Sequence, residues 1–242
     1  MKQIYLSIAI CLFASATCFG QILYGVQGSF QSANIGISAP AGAALGGFDF
    51  TSMIKAKMGF RVGVMADIPI TDQLSIRPQL LYSTKGYKLD PREFISALSG
   101  TFGGPPITAS SLPDSLVQSV RISYLELPIQ AMYGFDAGPG RAVIGAGPYI
   151  AYALNGAVNG QSTPFGSGAK RFDYGANLSL GYELPGGLTF SAYYSRGFAN
   201  QASADDGNTP PDPNSPPNPT ASGTATNRAF GLTLGYFFGT GN

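Results

Sequence analysis

Seven charged side chains, Arg61, Asp67, Arg77, Lys85, Glu126, Asp173 and Glu183, stand at alternate positions of segments that are otherwise rich in apolar residues. Gln79, Gln130 and Asn177 keep the same phase. Two carboxylates brought together, such as Glu126 and Glu183, would be the raw material of general acid–base chemistry. A chain of such groups would also serve as a proton or small-solute path. Opposite charges brought together, such as Arg77 and Glu126 on neighbouring segments, would instead form a hydrogen-bonded ion-pair network. The network is the expectation and the path its alternative. Other chemistries lack their residues. There is no histidine, so a Ser-His-Asp arrangement has no base. Both cysteines, Cys11 and Cys18, fall in the first twenty residues, leaving no thiolate or imidazole for zinc beyond them. Gly166-Ser167-Gly168 lacks the strand-to-helix setting of a nucleophile elbow. Asp205-Asp206-Gly207-Asn208 offers oxygens without the spacing of a calcium loop. No catalytic residue, cofactor or metal is expected.

These polar positions are held by segments that alternate. From Phe172 to Leu184 every second residue is apolar or aromatic, and the residues between are polar or glycine. Side chains of a strand point to opposite faces in turn, so the segment has one apolar and one polar face. Seven other segments repeat the pattern, around 26–31, 60–70, 74–83, 124–135, 144–154, 188–195 and 230–238. Their connections are unequal. Thr71-Asp72-Gln73, Asp136–Gly140 and Pro185-Gly186-Gly187 are tight-turn material, whereas about 36–57, 88–120, 156–170 and 199–227 are long. Such sorting, with strands long enough for the roughly 9–11 residues that cross a bilayer, predicts an all-β fold. The expected architecture is an eight-stranded antiparallel up-and-down transmembrane β-barrel with short periplasmic turns and long extracellular loops. A lipocalin-like soluble barrel is the structural rival. An eight-stranded barrel is narrow enough to be filled by its inward side chains, so an open pore is not expected.

Residues 1–20 read as a cleaved signal peptide: Lys2, an apolar core from Ile4 to Phe13, and small residues before Gln21. Residues 21–242 then form a single outer-membrane barrel domain in contact with outer-membrane lipid. Tyr182, Phe135, Tyr236 and Phe238 are placed for a lower aromatic girdle, and Phe172, Tyr82, Tyr87 and Phe198 for an upper one. Phe238, near the C-terminus, resembles the terminal aromatic signal of outer-membrane insertion. Only 11% of residues are charged and the net charge is +1, so the chain has no nucleic-acid footprint. Within the long loops, Asp90-Pro91-Arg92-Glu93 predicts a helix start, with Asp90 as cap and Glu93 completing a capping box. Phe94, Ile95 and Leu98 follow as an apolar stripe. The prolines from Pro210 to Pro219 favour extended polyproline II and cannot join a sheet.

The segments Gly59–Gly63, Leu74–Gly86, Tyr124–Ile129 and Gly145–Tyr149 together resemble the PorT-like outer-membrane β-barrel family of the Bacteroidetes. The resemblance implies an eight-stranded outer-membrane barrel, generally without an assigned activity. Its namesake's part in type IX secretion makes an accessory role in a secretion or envelope-assembly complex the alternative function. The principal expectation is a non-enzymatic outer-membrane protein with a structural or surface-interaction role, its extracellular loops meeting other envelope proteins. A lipid-modifying enzyme is a third reading.

Overall fold

The computed structural model describes residues 22–38, 53–101, 107–163, 171–200 and 224–239. The expected signal peptide, the proline tract and the Gly166 and Asp205 segments lie outside them. Eight long strands make one closed sheet: β1 (Leu23–Ser38), β2 (Ile54–Pro69), β3 (Leu74–Leu89), β4 (Gln118–Ala137), β5 (Gly140–Val158), β7 (Phe172–Glu183), β8 (Leu188–Gly197) and β9 (Thr224–Phe238). A three-residue strand, β6 (Gln161–Thr163), only folds back on the end of β5. Each long strand pairs antiparallel with its neighbours in sequence. β1 pairs with β9 to complete the cycle, so the wall has no free edge.

The alternation decides which face is which. Phe30, Leu178, Leu180, Leu232 and Leu234 point outward, and Phe30 and Leu232 are 79% and 63% exposed. Gln31, Asn177 and Ala229, at positions of the opposite phase, are buried inside. A continuous outward apolar belt with a polar interior inverts the usual arrangement of a soluble protein, and it fits hydrocarbon as the surrounding solvent. In that solvent every backbone donor and acceptor must be paired, which closure of the sheet achieves.

The three tight turns are as expected. Thr71 Oγ1 accepts from the Leu74 amide at 2.9 Å. Gly138 tops the second turn with φ 64°, and Gly186 and Gly187 the third with φ 96° and 93°. Tyr182 ties the second turn down: its hydroxyl donates to the Ala137 carbonyl at 2.6 Å and accepts the Gly140 amide at 2.9 Å.

The strands outrun the expected loop bounds at six of the eight ends. The connections opposite the tight turns shrink from 36–57 to 39–53, from 88–120 to 90–117, from 156–170 to 159–171, and from 199–227 to 198–223. A 16-residue strand is about 53 Å long, or roughly 37 Å high at a 45° tilt, more than the ~25 Å apolar band needs. Above the band the outward positions no longer have to be apolar. Thr84, Gly86 and Lys88 on β3 show this, and the sequence pattern therefore fades before the strand ends. Tyr87 is a second correction. It is half-buried on the Lys85 face and so does not belong to the upper girdle, whereas Phe172, Tyr82 and Phe198 do face outward.

Candidate functional site in the barrel interior

Inward strand positions gather the polar residues into two clusters separated by a small space. The upper cluster, towards the long loops, centres on Glu126. Its carboxylate meets Lys85 Nζ at 2.7 Å and Arg61 Nη2 at 3.1 Å. Lys85 also lies 4.0 Å from Asp173, which has no exposed surface. Tyr149 donates its hydroxyl to Asp173 Oδ2 at 3.1 Å, and Asn227 Nδ2 donates to the same oxygen at 2.8 Å. The Lys85 ammonium sits 4.7 Å from the Tyr149 ring centre and 5.5 Å from that of Tyr124, and the Arg61 guanidinium 4.4 Å from that of Tyr193. These are cation–π distances. Tyr193 in turn donates to Gln31 Oε1, and Gln31 Nε2 donates to Ser83 Oγ at 3.0 Å. Two cations, two carboxylates and three tyrosines thus fill the upper lumen.

The lower cluster centres on Arg77. Its Nε donates to Asp67 Oδ1 at 2.9 Å and its Nη2 to Glu183 Oε1 at 2.6 Å, over the Phe237 ring. Ser75 Oγ adds a bond to Asp67 at 2.9 Å. Just above it an amide ladder crosses the barrel. Gln27 donates to Gln79 at 2.6 Å, Gln79 to Gln130 at 2.9 Å, and Gln130 to Ser179 at 3.2 Å. Between the clusters lies a cavity of about 40 Å³, lined among others by Arg61, Arg77, Gln130, Asn177 and Glu183. A polar-lined space of that size has room for about three waters. It is far too small for a solute path.

Every residue singled out in the sequence faces inward, but the pairings differ. Arg77 does not pair with Glu126. The β3–β4 register sets Arg77 opposite Gln130 and Leu81 opposite Glu126, so the two charges stand four residues, roughly 13 Å, apart along the strand. Glu126 and Glu183 form no carboxylate pair either, since each is bound by a different cation in a different cluster. Asn227 falls within the expected last loop, 199–227, but lies on β9 and faces the lumen. The run Ala225, Asn227, Ala229 and Gly231 carried the inward phase that would have found it.

At the extracellular rim, helix α1 (Arg92–Thr101) follows β3. Asp90 caps it, accepting the Arg92 amide at 3.3 Å and the Arg92 guanidinium at 2.9 Å. The expected capping box does not form. The Asp90 amide is taken by the Met53 carbonyl at 2.7 Å, and Glu93 turns to Lys55 at 3.0 Å. Lys55 also holds Asp90 at 3.2 Å, and Arg92 reaches Asp114, so this clasp joins β2, β3, α1 and the segment before β4. The Arg92 guanidinium, with help from Lys55, keeps the Asp90 carboxyl well below the usual carboxylate range.

A closed all-antiparallel barrel of eight strands, apolar outside and polar within, is the architecture of an integral outer-membrane protein. Residues 19–202 match the family described as outer membrane protein beta-barrel domain, and the chain belongs to that family. Its place is the bacterial outer membrane. No curated protein matches the chain in sequence. Among solved structures, Ail, the attachment invasion locus protein of Yersinia pestis, shares 8% identity at a TM-score of 0.40, covering 89% of this chain and 98% of its own. Neisserial surface protein A shares 13% at 0.40, covering 88% and 96%. The outer membrane enzyme PagL shares 10% at 0.39, covering 86% and 98%. Likenesses this distant bear on neither ligand nor activity.

Proposed function

We propose that this protein is a small outer-membrane barrel with a structural or surface-interaction role, acting through its extracellular loops and not as an open pore. The observation that carries the reading is the stacked pair of ion-pair clusters around Glu126 and Arg77, which occupy the lumen where a channel would run. The clasp of Lys55, Asp90 and Arg92 supports the second half, because it holds α1 as a defined surface at the outer rim. The reading includes no catalytic step. In its support, the interior carboxylates with ion-pair partners are tied to cations, and the space of about 40 Å³ between the two clusters is too small for a lipid or sugar.

An accessory role in a secretion or envelope-assembly complex is the second reading, favoured by the PorT-like segments Gly59–Gly63 and Leu74–Gly86. Three experiments test the proposal. Liposomes carrying the folded protein should pass small solutes no faster than protein-free liposomes, and porin-like flux would contradict it. A photo-crosslinker at Leu116, on the loop side, should capture an envelope or extracellular macromolecule on whole cells, while one at Pro139, on the turn side, should not. Capture of known secretion components would favour the second reading. A change in lipid A mass on deletion of the gene would overturn both in favour of an enzyme.

A further inference from the structure

In the upper cluster Glu126 takes two cations, and Asp173 is left poorly matched. Asp173 has no exposed surface, and Lys85, at 4.0 Å, is the only described cation within that distance. A buried carboxylate so far from its counter-ion is costly to keep. Its two oxygens are treated differently. Oδ2 receives the Tyr149 hydroxyl at 3.1 Å and Asn227 Nδ2 at 2.8 Å, whereas Oδ1 accepts no hydrogen bond among the described residues. Oδ1 faces Gly197, where a Cβ would stand 2.8 Å away, so glycine keeps that oxygen uncrowded.

Lys85 brings an amine to this carboxyl group. Its Nζ is 2.7 Å from Glu126 Oε1 and 4.7 Å from the centre of the Tyr149 ring. The strand register builds the row: Glu126 on β4 is opposite Ala151 on β5, and Ala151 is opposite Asp173 on β7. The small alanine leaves room for the ammonium between the two carboxylates. Amine, carboxyl acceptor and proton carrier are therefore assembled, with two donors aimed at one acceptor oxygen. Such donors stabilise the oxyanion of acyl transfer.

We propose that Lys85 and Asp173 join spontaneously in an intramolecular amide (isopeptide) bond, with Glu126 carrying the protons. Glu126 takes a proton from the Lys85 ammonium and passes it to Oδ1, which leaves a neutral amine beside a carboxylic acid. The nitrogen lone pair attacks Asp173 Cγ, and the charge that develops on Oδ2 is held by Tyr149 and Asn227. Glu126 moves a second proton from nitrogen to Oδ1, the Cγ–Oδ1 bond breaks, and the oxygen departs as water. Of the three ammonium hydrogens one stays on the amide nitrogen and two leave in that water, so no co-reactant is needed. Reacting atoms attack from about 3–3.5 Å, so the flexible Lys85 stem has to close by roughly 1 Å or less. Arg61, 3.1 Å from Oε2, holds Glu126 as a carboxylate and therefore as a poor target for the same amine. The bond removes one charge of each sign and leaves Arg61 and Glu126 paired one to one. It forms once per chain and uses no outside substrate, so it stands apart from the surface role proposed above. β3 and β7 are not neighbours in the wall, and the bond would tie them across the lumen.

The test compares the intact mass of the full chain unfolded in urea with that of the same chain after folding into lipid vesicles. The fast-migrating folded fraction should be lighter by the mass of one water, and digestion should yield the Lys85 peptide joined to the Asp173 peptide. Tyr149→Phe removes a single oxygen, should still fold, and should form the bond more slowly by a factor on the order of 100. Lys85→Met and Asp173→Ala, where they fold, should keep the unfolded mass. A folded parent with unchanged mass would overturn the proposal, as would a lost water that maps to Lys85 and Glu126 or to any other pair. An unchanged rate in Tyr149→Phe would overturn the role given to the donors on Oδ2.

Discussion

Two buried cations depend on Glu126, and two carboxylates depend on Arg77. Removing one partner of a buried pair leaves an uncompensated charge and costs about 3–5 kcal/mol. Glu126→Gln should therefore lower the unfolding free energy of the vesicle-bound protein, read from urea titration, by an amount in that range. Arg77→Met should cost more than Glu183→Gln, because it strands both Asp67 and Glu183. Asp90 gives a prediction of the opposite kind. Its folded pKa lies below the unfolded value of about 3.9, so its contribution to the clasp is fully present above that pH and is lost only as pH falls further. Amide protection at Ile95, whose N–H bonds the Pro91 carbonyl at 2.9 Å, should hold steady from neutral pH to near 4 and decline below. Asp90→Ala should reduce that protection at neutral pH by about fivefold, the equivalent of a lost cap of ~1 kcal/mol. Inwardness was legible for Arg61, Asp67, Arg77, Gln79, Glu126, Gln130, Asp173, Asn177 and Glu183 because period two assigns a face. Partners were not legible, since the Arg77–Glu183 contact joins residues 106 apart and depends on how the whole cylinder is staggered.

At the scale of elements, lipid enforces the alternation and close packing sets the glycines. Arginine near the bilayer midplane of a barrel wall costs about 2–4 kcal/mol, so Leu232→Arg should destabilise by that much in vesicles. Gly147 and Gly63 face neighbouring strands so closely that a Cβ would lie 1.9 Å from the Ile129 carbonyl oxygen and 2.0 Å from that of Leu80. Gly147→Val should therefore keep the barrel from its native, fast-migrating form on unheated gels. The strand cores and tight turns could be read from sequence because both carry local rules, the period of two and the turn chemistry of Thr71 or Pro185-Gly186-Gly187. Strand ends could not, because outside the membrane nothing demands an apolar outward residue. The small β5–β6 hairpin did have a signal. Asn159-Gly160, with φ of 52° and 83°, is the dipeptide that two-residue turns prefer.

For the whole molecule, the division of short turns from long connections disclosed the topology, while the ion-pair clusters inside the barrel became visible only once all the strands were assembled. Everything rests on lipid chains as the solvent of the outer face. The direct measurement is methyl relaxation of the protein in nanodiscs containing lipids spin-labelled along their acyl chains. The leucine methyls of Leu178, Leu180, Leu232 and Leu234 should broaden strongly. Those of Leu81 and Val143, 2% and 4% exposed inside the barrel, should stay sharp. Sharp signals from the four outer leucines, or equal broadening of Leu81 and Val143, would contradict the account.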